Sequence, residues 1–324
     1  MPELPEVEVV RAGLAPAVTG ARIAAVDVLD ERALTRHDAA SGDFERLTTG
    51  AVIRAVVRRG KFLWLPIGEV AGRIPGDGRN DSRPRAIVGH LGMSGQMLLR
   101  TPDHPGDDRH ARIRLHLEHP AHGELRVDFV DQRTFGSLAV DRMVATADGE
   151  VAGFSADVTG EWARSVPTQV SHIARDPLDP AFDDDLLFER MSRRASGVKR
   201  MLLDQGVVSG IGNIYADESL WAVGLHGEQP ASSLSRPRRV ELLRAVRDVL
   251  GKALVEGGTS FDAQYVNVNG QSGYFAHSLN AYGRAGEPCP RCGTPIVREA
   301  FMNRSSHRCP RCQRLRRRRA ATAR

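Results

Sequence analysis

A chain of 324 residues with 45 Lys and Arg against 40 Asp and Glu carries a formal charge of +5, and this length suits about two domains. No apolar run approaches the roughly 20 residues of a membrane span, and no apolar segment follows a basic start. Membrane-spanning and secreted classes are therefore excluded, and the cytoplasm is the expected compartment. The charge is uneven: residues 281–324 hold twelve Arg, no Lys and two acids, a window of +10 that leaves −5 for residues 1–280. Clustered guanidinium groups suit bidentate contact with phosphate; the terminal Arg316–Arg319 run is instead expected to be a solubilising or localising tail.

The chain opens Met1-Pro2-Glu3-Leu4-Pro5-Glu6. Methionine ahead of proline is normally removed, which makes Pro2 the expected mature terminus and its nitrogen a free secondary amine. An α-amino group titrates near roughly 8, so part of it is unprotonated at neutral pH and can attack an aldehyde or a sugar C1′. Taken alone, the same residues also describe an ordinary solvated terminus with proline in a first helical turn. Val7, Val10, Leu14 and Val18 recur at helical spacing, predicting a helix over 5–18 whose positive end lies beside Pro2 and Glu3.

Short, partly β-branched segments follow at Arg22–Val28, Ala51–Arg58, Lys61–Ile67, Ala86–Leu91, Gln96–Arg100, Ala111–Glu118, Glu124–Val130 and Ser137–Val140. Many short strands without alternating helices predict an antiparallel β-sandwich. Residues 69–85 are expected to be an inserted loop. Beyond about 180 the pattern turns helical, with helices predicted at Leu186–Arg194, Val198–Leu203, Asn213–Val223 and Pro237–Glu256. The turn Gly210-Ile211-Gly212-Asn213 suits either phosphate binding by backbone amides or plain capping by Asn213. Residues 259–280, rich in Gly, Asn, Gln and Ser, read as a long loop, either a lid or a plain surface loop.

All four cysteines lie near the C-terminus, Cys289, Cys292, Cys309 and Cys312, spaced C-x2-C-x16-C-x2-C. Two close pairs joined by a short hairpin match a tetrahedral structural zinc site better than disulfides. Four thiolates complete the coordination sphere, so one structural Zn2+ is expected and no catalytic metal.

PELPEVE at the start, RRGKFLWL at 58–65, HLGMSGQ at 90–96, DQRTFG at 131–136, SGIGNIYADESLW at 209–221, GYF at 273–275, AYGRAGEPCPRCG at 281–293 and the closing cysteine pair together resemble formamidopyrimidine-DNA glycosylase. The likeness runs from Pro2 to Cys312. It implies an α+β multidomain chain: an N-terminal antiparallel β-sandwich with a leading helix (1–175), a helix–two-turns–helix DNA-binding domain (176–280), a zinc-finger β-hairpin (281–316) and a basic tail (317–324). It also implies a monomer that grips double-stranded DNA carrying oxidised bases or abasic sites between its halves and flips the damaged base out.

Carried onto matching positions, the resemblance makes Pro2 the nucleophile toward C1′ and Glu3 the acid at the sugar ring oxygen. Lys61 would bind phosphate and assist β-elimination, and Arg304 would assist δ-elimination. Met93, Arg133 and Phe135 would fill the gap left by the extruded nucleotide, with Arg133 reading the orphan cytosine. His110, Lys199, Asn213 and Tyr215 would contact DNA, and Tyr274 would belong to the lid. The sequence departs from the family at Thr134, where a second arginine is common, and at His307-Arg308, where an aromatic is common. The implied activity is excision of oxidised purines, 8-oxoguanine and formamidopyrimidines, with β,δ-lyase activity. An endonuclease VIII-like enzyme for oxidised pyrimidines and a non-catalytic zinc-containing binder of damaged DNA are the alternatives.

Overall fold

The structure is a computed structural model that describes residues 2–68, 84–105, 108–155, 159–259, 268 and 275–316. The chain divides into two compact units, residues 1–172 with 256–274, and residues 173–255 with 275–324. The cysteine hairpin lies in the second unit with the helices, and residues 256–259 and 268 lie in the first.

The first unit begins with helix α1 (Leu4–Val18). Pro5 stands in its first turn, where a missing N–H costs nothing. The Glu3 N–H donates to Glu6 Oε2 at 2.8 Å, the returning half of a capping box. Val7, Val10, Leu14 and Val18 enter the core. Unlike an ordinary surface helix, α1 also buries Glu6, Glu8 and Arg11.

The strands are β1 (Arg22–Val28), β2 (Val52–Ile53), β3 (Val57–Arg59), β4 (Phe62–Gly68), β5 (Arg85–His90), β6 (Gln96–Arg100), β7 (Ala111–His119), β8 (Gly123–Val130), β9 (Ser137–Ala145) and β10 (Ser165–Pro167), with a short helix α2 (Phe44–Thr48) between β1 and β2. Every pairing is antiparallel. The path runs β10-β9-β5-β4-β2-β1-β7-β8-β6, with β3 on β4. Both ends of that path feed one apolar cluster: Leu63, Ile87 and Leu138 from one side, Met97, Ile113 and Phe129 from the other, together with α1. The expected single strand over 51–58 is broken into β2 and β3, whereas β9 runs five residues beyond the predicted Val140.

The second unit contains α3 (Asp184–Ser192), α4 (Val198–Leu202), α5 (Asn213–Ala222), α6 (Arg236–Val255) and the hairpin of β11 (Val297–Phe301) and β12 (Arg304–Arg308). The Asp183 side chain caps α3 by accepting the Leu186 N–H at 2.9 Å. Gly212, not Asn213, is the N-cap of α5, and Asn213 is the first helical residue. Among the described residues no helix is long and apolar enough to cross a membrane.

Candidate active site and metal centre

Pro2 and Glu3 are both buried at the positive end of α1. Glu6 fixes the backbone here. Its Oε2 takes the Glu3 N–H, and its Oε1 takes the Thr259 N–H at 2.7 Å and the Thr259 hydroxyl at 2.9 Å. Lys61 is buried in the two-residue turn between β3 and β4, where Arg59 pairs with Phe62 and Gly60 turns with φ +57°. Beneath that turn Arg58 donates to Glu8 Oε2 at 2.8 Å and to the Gly60 carbonyl at 3.3 Å, while Arg11 holds the other oxygen of Glu8 at 2.8 Å. The first helix and the Lys61 turn are therefore joined by a buried ion-pair network. His90, at the end of β5, has its pKa lowered to about 4, first by burial and then by the positive charges of Arg36 and Lys61. The Gly92 N–H donates to His90 Nδ1 at 3.2 Å, which requires that nitrogen to be unprotonated.

Met93, Arg133 and Phe135 come together on two adjoining loops. Their side chains reach outward: Met93 is 43% and Phe135 60% exposed, unusual for large apolar groups. Between Arg133 and Phe135, Thr134 takes φ +54°, an outlier for a β-branched residue. The His110 carbonyl accepts the Asp131 N–H at 2.9 Å, placing His110 beside the same loop.

In the second unit Arg304 is exposed, directly after the Met302-Asn303 tip of the β11–β12 hairpin. Asn213 reaches this hairpin rather than capping its own helix: its Nδ2 donates to the Ser305 carbonyl at 2.8 Å. Asp217, on the same helix, accepts from Ser306 Oγ at 3.0 Å and from the His307 N–H at 2.8 Å. Lys199 and Tyr215 both lie in the interior of this unit. Lys199 is fully buried, its Nζ 2.6 Å from Asp217 Oδ1 and 4.6 Å from the Phe301 ring centre. Tyr215 is equally buried, its ring 5.6 Å from Phe275. Both side chains belong to the interior that carries the hairpin. Tyr274 lies outside the described residues, as does nearly all of the 69–85 insertion, most of the 259–280 loop and the 317–324 tail.

The four cysteine sulfurs lie within 4.8 Å of one another. Zn–S bonds of about 2.3 Å in a tetrahedron give edges of ~3.8 Å, so the set fits one zinc ion. Cys292 Sγ stands 3.5 Å from Cys309 Sγ and 3.4 Å from Cys312 Sγ. Hydrogen bonds from Thr294 lower the Cys292 thiol to about 6, while burial and neighbouring thiols push Cys312 up to about 12. A divalent cation at the centre favours the thiolate at all four. Trp221 Nε1 donates to Cys289 Sγ at 3.4 Å, and Glu218 anchors the approach to the module by accepting the Asn280, Ala281 and Tyr282 N–H groups. The His307 ring stands edge-on to Tyr282, with ring centres 4.8 Å apart.

Sequence reasoning missed Glu6, Asp131, Asp217 and Glu218. Their signal was acidic residues inside otherwise apolar, largely buried segments, which demand partners.

Three family profiles cover most of the chain and set its class, a zinc-finger DNA glycosylase: the formamidopyrimidine-DNA glycosylase N-terminal domain over residues 1–138, the corresponding H2TH domain over 173–264, and a zinc finger found in FPG and IleRS over 286–315. A protein named formamidopyrimidine-DNA glycosylase from Leifsonia xyli subsp. xyli is 61% identical over 97% of this chain and all of its own length. Among solved structures, the MutM (Fpg) protein of Thermus thermophilus matches with a TM-score of 0.73 and 31% identity, covering 98% of this chain and 100% of that one. A Lactococcus lactis Fpg mutant in complex with Fapy-dG-containing DNA matches with a TM-score of 0.74 and 28% identity, covering 97% and 100%. The chain belongs to the formamidopyrimidine-DNA glycosylase family.

Proposed function

We propose that this protein excises oxidised purines, 8-oxoguanine and formamidopyrimidines, from duplex DNA and then cleaves the strand. The observation that carries the reading is the buried Pro2-Glu3 pair at the positive end of α1, held by Glu6. The relatives' name and the Lactococcus lactis complex with Fapy-dG DNA support the substrate class.

The Pro2 nitrogen forms a bond to C1′ as the glycosidic bond breaks, and the electron pair leaves with the base. Glu3 delivers a proton to the ring oxygen, the sugar opens, and the nitrogen becomes an iminium. The iminium acts as an electron sink: loss of a C2′ proton expels the 3′ phosphate, and a second elimination expels the 5′ phosphate. Lys61 and Arg304 supply positive charge to these phosphates. Met93, Arg133 and Phe135 occupy the space left by the extruded nucleotide, and His110 and Asn213 stand beside the DNA-facing loops. Zinc, when bound, shapes the hairpin that carries Arg304 and takes no part in the chemistry. The enzyme works as a monomer on chromosomal DNA in the cytoplasm.

A panel of duplexes carrying 8-oxoguanine or thymine glycol opposite cytosine or adenine tests this reading. Faster cleavage at 8-oxoguanine opposite cytosine is expected. Faster cleavage at thymine glycol assigns the protein to oxidised pyrimidines instead.

A further inference from the structure

The exposed Met93, Arg133 and Phe135 raise a mechanical problem. A wedge that separates stacked bases must resist the force it applies, yet all three residues sit on loops, and one loop contains a left-handed threonine. The loops need an internal fixture, and the structure contains one.

We propose that Asp131 is the positioning residue of the wedge, joining its two loops into a single rigid element. Asp131 is 0% exposed, so its two oxygens meet only protein. Oδ1 accepts the Ser94 hydroxyl at 2.5 Å, from the loop that carries Met93, and the Arg133 N–H at 3.1 Å. Oδ2 accepts the Gly136 N–H at 2.7 Å, immediately after Phe135. Ser94 Oγ also accepts the Arg133 N–H at 3.2 Å, closing a small ring of hydrogen bonds. The carboxylate thus fixes the backbone on both sides of Thr134, holding φ +54° against its intrinsic cost.

The packing around this carboxylate leaves no slack. A Cβ built on Gly92 would lie 2.5 Å from Gly136 N and from the Phe135 carbonyl carbon, and one on Gly95 would lie 2.4 Å from the Leu91 carbonyl oxygen. The two loops therefore touch backbone to backbone, with Met93 and Phe135 projecting from the seam. Arg112 Nε donates to the Asp131 carbonyl at 2.8 Å, and the Asp131 N–H is held by His110, so the fixture is itself tied to β7. A charged acceptor serving three donors in a dry site is the strong kind of hydrogen-bonded centre.

This role rests on the wedge reading of Met93, Arg133 and Phe135, and the test separates the two. Strand cleavage is measured on duplex 8-oxoguanine opposite cytosine, where a base must be extruded, and on a single-stranded abasic site, where nothing is extruded. Asp131→Asn replaces one acceptor oxygen with a donor that faces another donor. It is expected to slow duplex excision roughly 10- to 100-fold while single-strand cleavage stays within about twofold. Ser94→Ala, which removes the hydroxyl's bond to Oδ1 and its share of the Arg133 N–H but leaves both bonds from backbone amides to the carboxylate, is expected to show the same split more weakly, and it carries the test if Asp131→Asn does not fold. Met93→Ala and Phe135→Ala serve as references. If they lower the duplex-to-single-strand ratio and neither Asp131→Asn nor Ser94→Ala does, the positioning role is overturned and the wedge stands. If the references leave the ratio unchanged, the wedge reading fails and takes the positioning role with it.

Discussion

Glu6 Oε1 accepts the backbone N–H of Thr259 at 2.7 Å, although the two residues are 253 positions apart in the chain. The other oxygen of the same carboxylate holds the Glu3 N–H, so one buried side chain sets the position of the residues ahead of α1 and anchors them to a distant segment.

Glu6→Gln must turn an amide N–H₂ toward one of these donors. Imine formation at Pro2, read as borohydride-trapped complex per unit time, is expected to fall roughly tenfold, the cost of a lost charged hydrogen bond. Thr259→Val, which keeps the backbone N–H, should cost less. Zinc content should not change in either variant. Unchanged trapping in Glu6→Gln would show that the terminus is positioned by other means.

His90 makes stability depend on pH in a definite direction. Its folded-state value of about 4 lies below the ordinary 6.5. The fold therefore favours the neutral ring: its contribution is complete above pH 6.5, declines as pH falls, and is lost by about pH 4. The whole difference is about 3 kcal/mol. Urea unfolding of wild type and His90→Gln across this window should show a wild-type decline that the variant lacks. Parallel curves would contradict the assignment.

Lys199 and Asp217 form an ion pair with both side chains removed from solvent. Removing one partner leaves a buried charge, so Asp217→Leu alone should destabilise the second unit by about 3–5 kcal/mol. Lys199→Met combined with Asp217→Leu should recover most of that loss in thermal unfolding. Asp217 also holds Ser306 and His307, so the double variant should still bind lesion DNA less well than wild type. Full recovery of affinity would remove Asp217 from the support of the Arg304 hairpin.

Cys309→Ser, or chelation of the metal, should unfold the hairpin and abolish DNA binding while leaving the β-sheet unit's own unfolding transition in place. Retained affinity would contradict the structural role given to zinc.

The parts of the fold legible in the sequence are those with a local cause. Helix α1 is marked by the spacing of Val7, Val10, Leu14 and Val18. The zinc module is marked by its cysteine pairs, and β1 and β6 by apolar runs that end at turn residues. Strand β9 looked short because Asp141 and Arg142 interrupt its apolar pattern. The strand continues past them, and Asp141 is used by Thr168 and Gln169, residues whose proximity no local pattern shows. The same reason hid the acids that position the site. Asp131 works with Ser94, Asp217 with His307 and Glu6 with Thr259, pairs brought together only by tertiary folding. Lys199 is placed at a DNA contact by the family resemblance alone, and its buried pairing with Asp217 is likewise one that no local pattern shows.

The central claim is that the Pro2 nitrogen is the nucleophile. Borohydride trapping on 8-oxoguanine duplex tests it directly when each protein's mature N-terminus is read by mass spectrometry. The account predicts that wild type begins at Pro2 and cross-links covalently to the DNA, while Pro2→Gly traps poorly. Efficient trapping by a wild-type chain that retains Met1, or no trapping by one that begins at Pro2, would contradict it.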